Sequence, residues 1–236
     1  MGAPKAISFD CFGTIIDWEG EIQKYFKGFM QKKGVDTIAP KTIQRRWEEI
    51  QFDYIQEKYR KYYDVLFDTM GMTCKEFGLS FTKQDCEEFA ESMTKWQPFP
   101  DSHDALLELQ KYTKITLLTN TDNDIIKESV KNIGVEFDDI VTAEMAGMYK
   151  PFHGGFKLSR ERLGLQPEEM IHAAFGFKYD IVPATALGYK TCWVNRQGEP
   201  RPLDVWESFM VGDLRTLAIV VKYMSENDDF LNFDRK

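Results

Sequence analysis

Residues 5–14 read Lys-Ala-Ile-Ser-Phe-Asp-Cys-Phe-Gly-Thr, and the rest of the chain is organised around them. Ala6, Ile7 and Phe9 form a short apolar run that reads as a buried strand. The run ends in Asp10, and Gly13 allows the backbone to turn sharply just after it. In an open parallel sheet, ligands bind at the carboxyl ends of the strands, so Asp10 stands where chemistry is done. A carboxylate there can be a nucleophile, a metal ligand or a cap on the loop amides of Gly13 and Thr14, and these ten residues leave all three readings open.

Outward from this stretch the pattern changes to helix. Apolar residues at Ile22, Tyr25, Phe26 and Phe29 mark a helix over Glu19–Lys33 that Gly34 stops. The stripe resumes over Lys41–Tyr63 and Val65–Phe77, and Thr82 with Asp85 resembles a capping box that opens a further helix toward Trp96. Pro98-Phe99-Pro100-Asp101 reads as the return linker. From there helices and strands alternate, the pattern of a parallel sheet with crossovers. Strands are expected at Ile115–Leu118, Asp139–Thr142, Met170–Phe175 and Thr191–Val194, with helices from Ser102, Asp124, Gly155, Ile181 and Asp213. The expected architecture is α/β: a Rossmann-like core of residues 1–17 and 100–236, interrupted by a helical unit of residues 18–99. The tail from Glu226 is charged but carries Phe230 and Phe233, so it is not read as disordered.

The 236 residues are 43% hydrophobic, enough for a sizeable core, and the formal net charge is -8. That charge disfavours nucleic acid and anionic membrane as partners and points to a small molecule. With no long apolar run and no signal-peptide core, the chain is expected to be cytoplasmic, and a homodimer is compatible with it. Cys11, Cys74, Cys86 and Cys192 are scattered, as are His103, His153 and His172, so zinc spacing is absent. The cysteines read as reduced and buried, although Cys11 beside Asp10 is a candidate for exposure.

Polar residues recur at the ends of the expected strands: Asp10 after the first, Thr119 and Asn120 after the second, and Asp180 beyond Ala174, with Lys150 on a loop between them. Singly, Thr119 and Asn120 can be helix caps, Lys150 a solvated loop charge and Asp180 a helix-start acid. In this order they resemble the haloacid dehalogenase superfamily, and the nearer resemblance is to its type II 2-haloacid dehalogenases. FDCFGT looks like that branch's F-D-x-Y-G-T, LLTN like its L-S-N, and MYKP like its V-Y-K-P. DIVPATALGYKTCWVNRQG is similar to its long stretch from the final aspartate to N-R-x-G.

The resemblance implies that Asp10 attacks substrate carbon to form an ester that water then hydrolyses. On this reading Lys150 keeps Asp10 ionised by about 4 kcal/mol at an effective dielectric near 20. Thr14 orients the Asp10 carboxylate, and Asp180 orients or deprotonates water. Thr119 and the amides after Asp10, beginning at Cys11, hold a substrate carboxylate, and Asn120 faces the departing halide. Related phosphatases place an acid two residues after the nucleophile and another after the strand ending near Ala174, where this chain has Phe12 and Phe175. A halide leaves without a proton, and phenylalanine does not ligate Mg²⁺. No metal or other cofactor is therefore expected; Mg²⁺ enters only under an alternative reading as an atypical phosphatase. The family's cap arginine falls on Glu48, with Arg46 or Arg45 as candidate substitutes one turn away, and its hydroxyl and amide groups fall on Phe12, Phe156, Phe175 and Phe177. These departures also motivate a third reading, a catalytically weak protein that binds a ligand or partner.

Overall fold

The computed structural model describes residues 3–202 and 204–227. Six strands form one sheet in the order β3-β2-β1-β4-β5-β6, and every neighbouring pair is parallel. They are β1 (Ala6–Phe9), β2 (Lys114–Thr119), β3 (Asp139–Thr142), β4 (Met170–Ala174), β5 (Lys190–Val194) and β6 (Phe209–Val211). All residues of β1 and β4 are buried, because crossover helices cover both faces and leave no solvated side to alternate with. After β3 the chain returns to the other side of β1, so the winding reverses between β1 and β4. The crevice beyond their carboxyl ends is therefore the natural ligand position of this Rossmann-like α/β fold.

Between β1 and the segment 98–101 lie four α-helices: α1 (Trp18–Lys32), α2 (Pro40–Glu57), α3 (Tyr62–Glu76) and α4 (Lys83–Ser92). Ile22, Phe26 and Phe29 of α1 and Ile43, Trp47 and Ile55 of α2 are buried, as helical spacing dictates. Trp47 lies 5.5 Å from Phe89 and 5.9 Å from Trp18 between ring centroids, and its indole donates to Thr69 Oγ1 at 3.0 Å. The two connections run side by side: Asp17 N donates to Gln97 O at 3.1 Å, and Phe99 N to Ile15 O at 2.9 Å. Arg196 braces the crossing, donating to the Thr14 carbonyl and to the Asp101 carboxylate.

The helix expected over Lys41–Tyr63 is two elements. α2 ends at Glu57, and α3 begins at Tyr62 because a distant carboxylate caps it: Asp122, just after β2, accepts from Tyr62 N at 2.8 Å and Tyr63 N at 2.9 Å. The strand expected to reach Phe175 stops at Ala174, because Phe175 N turns away from the ladder to donate to Thr14 Oγ1. β6 was not expected; Phe209, Met210 and Val211 are apolar, but the run is only three residues long and Met210 is exposed. The remaining helices are α5 (Ser102–Leu109), α6 (Asn123–Ile133), the short α7 (Ala143–Ala146), α8 (Gly154–Leu163), α9 (Val182–Ala186) and α10 (Leu214–Glu226). Most of the tail, from residue 228 onward, lies outside the described residues. Among the described residues no helix is long and apolar enough to cross a membrane.

Since Asp122 closes the start of α3 with two charge-assisted bonds, Asp122→Ala should cost about 2 kcal/mol. Asp122→Asn, which keeps an acceptor, should cost less. Urea midpoints of the three proteins test this, and equal midpoints would refute the capping role.

Candidate active site

Asp10 follows β1 directly, and its backbone N–H still bonds Ala173 O at 3.1 Å across the sheet. Its carboxylate is 7% exposed at the base of the crevice. Oδ2 accepts from Thr14 Oγ1 at 2.9 Å and Oδ1 from Lys150 Nζ at 2.8 Å. Thr14 is itself fixed, since its hydroxyl oxygen accepts from Phe175 N at 2.9 Å. The turn needs Gly13, whose φ is +98° and where a Cβ would come within 2.6 Å of the Trp18 indole nitrogen.

Lys150 reaches the same point from the loop after α7, next to a cis peptide bond with Pro151. Its ammonium uses its three donors on Asp10 Oδ1 at 2.8 Å, Leu118 O at 2.8 Å and Asp180 Oδ1 at 2.6 Å. Asn120 holds the Lys150 backbone from both sides, accepting from its N–H at 2.7 Å and donating to its carbonyl at 3.0 Å. Asp180 lies on a wide turn after β4, where its own N–H bonds Gly176 O at 2.9 Å. Its Oδ1 also takes a bond from His172 Nε2 at 2.9 Å.

These groups differ electrostatically. Burial raises the Asp10 carboxyl above its usual range, and the charge of Asp180 adds to this against the pull of Lys150. For Asp180 burial also acts upward, but Lys150 and His172 together outweigh it and hold the carboxyl below its usual range. Burial works against the Lys150 ammonium, yet the two carboxylates overcome it and raise its pKa.

Above this cluster opens a pocket of about 340 Å³ walled by Phe12, Trp18, Tyr62, Phe175, Phe177, Tyr179 and Trp193. Its charged lining residues are Asp10, Glu48, Lys150, Lys178, Asp180 and Glu199. Glu48 enters from α2, four residues after Gln44 on the inward side, and Gln44 Nε2 lies 3.5 Å from its carboxylate. Burial, with Glu19 next, pushes the Glu48 carboxyl up to about 7.

The family model for haloacid dehalogenase-like hydrolases matches residues 4–173, the span that carries Asp10, Thr14, Thr119 and Lys150. The chain belongs to the haloacid dehalogenase-like hydrolases. It is 27% identical over 202 residues to haloacetate dehalogenase H-2 of Moraxella sp. (strain B), covering 82% of this chain and 87% of that one. It is 24% identical over 202 residues to the (S)-2-haloacid dehalogenase of Pseudomonas sp. (strain YL), covering 82% and 84%. The solved L-2-haloacid dehalogenase RSc1362 superposes with a TM-score of 0.81 at 21% identity, over 93% of this chain and 99% of that one.

Within this haloacid dehalogenase-like hydrolase, Asp10, Thr14, Lys150 and Asp180 converge on one point, and Phe12, Asn120, Phe175 and Phe177 line the adjoining pocket. Three residues singled out in the sequence stand elsewhere. Arg46 points away from the crevice, bonded to Glu49 and Glu76 on the outer face of α2, because it is two residues from Gln44 and Glu48 and so on the opposite side of the helix. Cys11 is fully buried, and burial with the adjacent Asp10 charge pushes its thiol well up, which disfavours a thiolate nucleophile. Thr119 is buried beneath the pocket wall with its hydroxyl unpartnered. Asn120 spends its carbonyl on the Lys150 backbone, so its first task is to place that lysine. Sequence reading overlooked Ser8 and His172, which lie inside strands and carry no motif.

The donor set does not suit Mg²⁺. Both Asp10 Oδ1 and Asp180 Oδ1 converge on the Lys150 ammonium, which fills the cation position between them, and the residue after Ala174 is Phe175. Among the described residues no group of three or more His, Cys, Asp or Glu side chains is placed to hold a metal ion.

Removing the ammonium would leave two buried carboxylates facing each other. Lys150→Met should therefore cost about 3–5 kcal/mol at neutral pH. Chemical unfolding tests this, and part of the loss should return at acid pH as the carboxylates protonate. A variant as stable as the parent would contradict the buried charge network.

Proposed function

We propose that the chain is a metal-independent 2-haloacid dehalogenase that cleaves a carbon–halogen bond through an ester on Asp10, with residues 18–99 serving as a cap over a core of residues 1–17 and 100–236. The observation that carries this reading is the single ammonium of Lys150 shared by Asp10 and Asp180 beneath an aromatic pocket. The relatives named haloacetate and 2-haloacid dehalogenases support the substrate class, a small halogenated carboxylic acid.

In the first step a carboxylate oxygen of Asp10 attacks the halogen-bearing carbon, the new carbon–oxygen bond forms and halide departs with the bonding electron pair. Thr14 and Lys150 hold the attacking carboxylate, and their donors favour its ionised form against the opposing effect of burial. The halide is a stable anion, so Phe12 in place of an acid costs this step nothing. In the second step Asp180 takes a proton from water and the oxygen adds to the ester carbon of Asp10. The tetrahedral species collapses, the departing alkoxide takes the proton held by Asp180 to give the 2-hydroxy acid, and Asp10, left as its carboxylic acid, releases the net proton to solvent. The atoms sum to haloacid plus water giving hydroxy acid, halide and a proton.

Glu48 modifies binding. Below about pH 7 its carboxyl is neutral and adds no charge to the pocket; as pH rises through about 7 it ionises and repels both the substrate carboxylate and the departing halide. Arg45 moderates that charge, while Glu19 and Glu49 reinforce it.

The direct test is halide release from short 2-halocarboxylic acids in the presence of chelator. Turnover should persist in chelator and be lost in Asp10→Asn; full activity in that variant would sink the mechanism. KM for the same acids should rise by roughly tenfold between about pH 6 and about pH 8. Glu48→Gln should flatten the rise, and a rise that survives in Glu48→Gln would show that another group causes it.

A further inference from the structure

A base that activates water must be held with one oxygen toward the water. Toward the pocket Asp180 is flanked by Phe175 and Phe177, whose side chains offer no hydrogen bond. Its support comes from behind. His172 lies in the middle of β4, fully buried, directly opposite Ser8 of β1 in the strand register. A histidine inside a sheet covered on both faces is costly unless its ring nitrogens are satisfied, and here both are. Nδ1 is 2.7 Å from Ser8 Oγ and Nε2 is 2.9 Å from Asp180 Oδ1.

The chemistry of the partners assigns the protons. An ionised carboxylate only accepts, so the ring must donate through Nε2–H. In the neutral ring Nδ1 is then an acceptor and receives a hydrogen bond from the Ser8 hydroxyl, which has no other partner among the described residues. The Phe156 ring packs steeply against the imidazole, with 5.1 Å between ring centroids and 72° between planes. A single chain of bonds thus runs from Ser8 through His172 to Asp180, where Lys150 also arrives and continues to Asp10.

Both donors act on the same oxygen. With Oδ1 held by Lys150 and His172, the carboxylate cannot turn, and Oδ2 has no protein donor among the described residues. Oδ2 lies where a Cβ on the pocket-lining Gly176 would come within 2.6 Å of it, so the absence of a side chain at Gly176 makes its room. Resting on the two-step reading of Asp10 and Asp180, we propose that His172, anchored at its other nitrogen by Ser8, is a positioning residue that aims Asp180 Oδ2 at the hydrolytic water. It does from behind the sheet what Phe175 and Phe177 cannot do from the pocket. Burial raises the Asp180 carboxyl, but Lys150 and then the His172 bond bring it below its usual range, which accords with a base kept ionised.

A structural role alone would slow both steps together, whereas a positioning role separates them. With 2-chloropropionate as probe, intact-protein mass after rapid quench reads ester formation on Asp10 and its decay. His172→Leu should lower the ratio of ester hydrolysis to ester formation about a hundredfold, so that the adduct accumulates. His172→Gln, whose amide N–H lies close to the position of Nε2–H, should recover most of the loss, and Ser8→Ala should show a smaller drop than His172→Leu. Equal slowing of both steps, no slowing, or a Gln variant no better than Leu would overturn the proposal. A second readout needs no turnover: long-range ¹H–¹⁵N spectra of the substrate-free protein should show His172 as the Nε2–H tautomer with a proton signal that moves in Asp180→Asn. The Nδ1–H tautomer, or a signal indifferent to that change, would overturn the proposal even if the parent releases no halide. Absence of halide release with the Nε2–H signal intact would instead count against the dehalogenase reading alone.

Discussion

Three charges buried at one point constrain the rest of this molecule. Two carboxylates and one ammonium have left water, and each would be untenable alone. Lys150 makes the arrangement stable because its three donors meet Asp10, Asp180 and the Leu118 carbonyl within 2.8 Å. That geometry requires the ends of β1, β2 and β4 to be in register and the loop after α7 to be held, which Asn120 does through the Lys150 backbone. One interaction therefore orders the sheet edge.

Much of this was legible in the sequence because each feature is local. β1 and β4 are apolar runs ended by turns, and Asp10, Thr14, Lys150 and Asp180 are polar residues just beyond or between strands, where side chains project into a crevice. What was not legible depends on distant partners. The break between α2 and α3 has no Gly or Pro to mark it; it is made by Asp122, about sixty residues away in sequence. Arg46 was placed in the pocket by nearness in sequence to Glu48, but two residues along a helix is more than half a turn, and its partners are outside. His172 looked like one of three scattered histidines until the strand register set it against Ser8 and the turn after β4 brought Asp180 to its other nitrogen.

The pocket above the charges is aromatic on most sides. Phe175, Gly176 and Phe177 line the pocket together with Asp180. Glu48 is the group in this wall that changes charge near neutrality, so the affinity for an anion is tied to pH at the pocket rather than at the nucleophile. On the proposed reading, binding and hydrolysis are governed by different elements, α2 and the strand β4 with the turn after it. Substitutions in one should leave the other largely in place, since additivity holds for groups that share no partners.

The central claim is that substrate is carried as an ester of Asp10, and the most direct measurement of it is a single turnover of 2-chloropropionate in ¹⁸O-labelled water with enzyme in excess. The proposed route delivers an existing Asp10 oxygen to the product and replaces it from water. Label should therefore appear in the Asp10 peptide while the first-turnover hydroxy acid is unlabelled. Label in the hydroxy acid with an unlabelled Asp10 peptide would mean that water attacks the substrate directly, and would contradict the account.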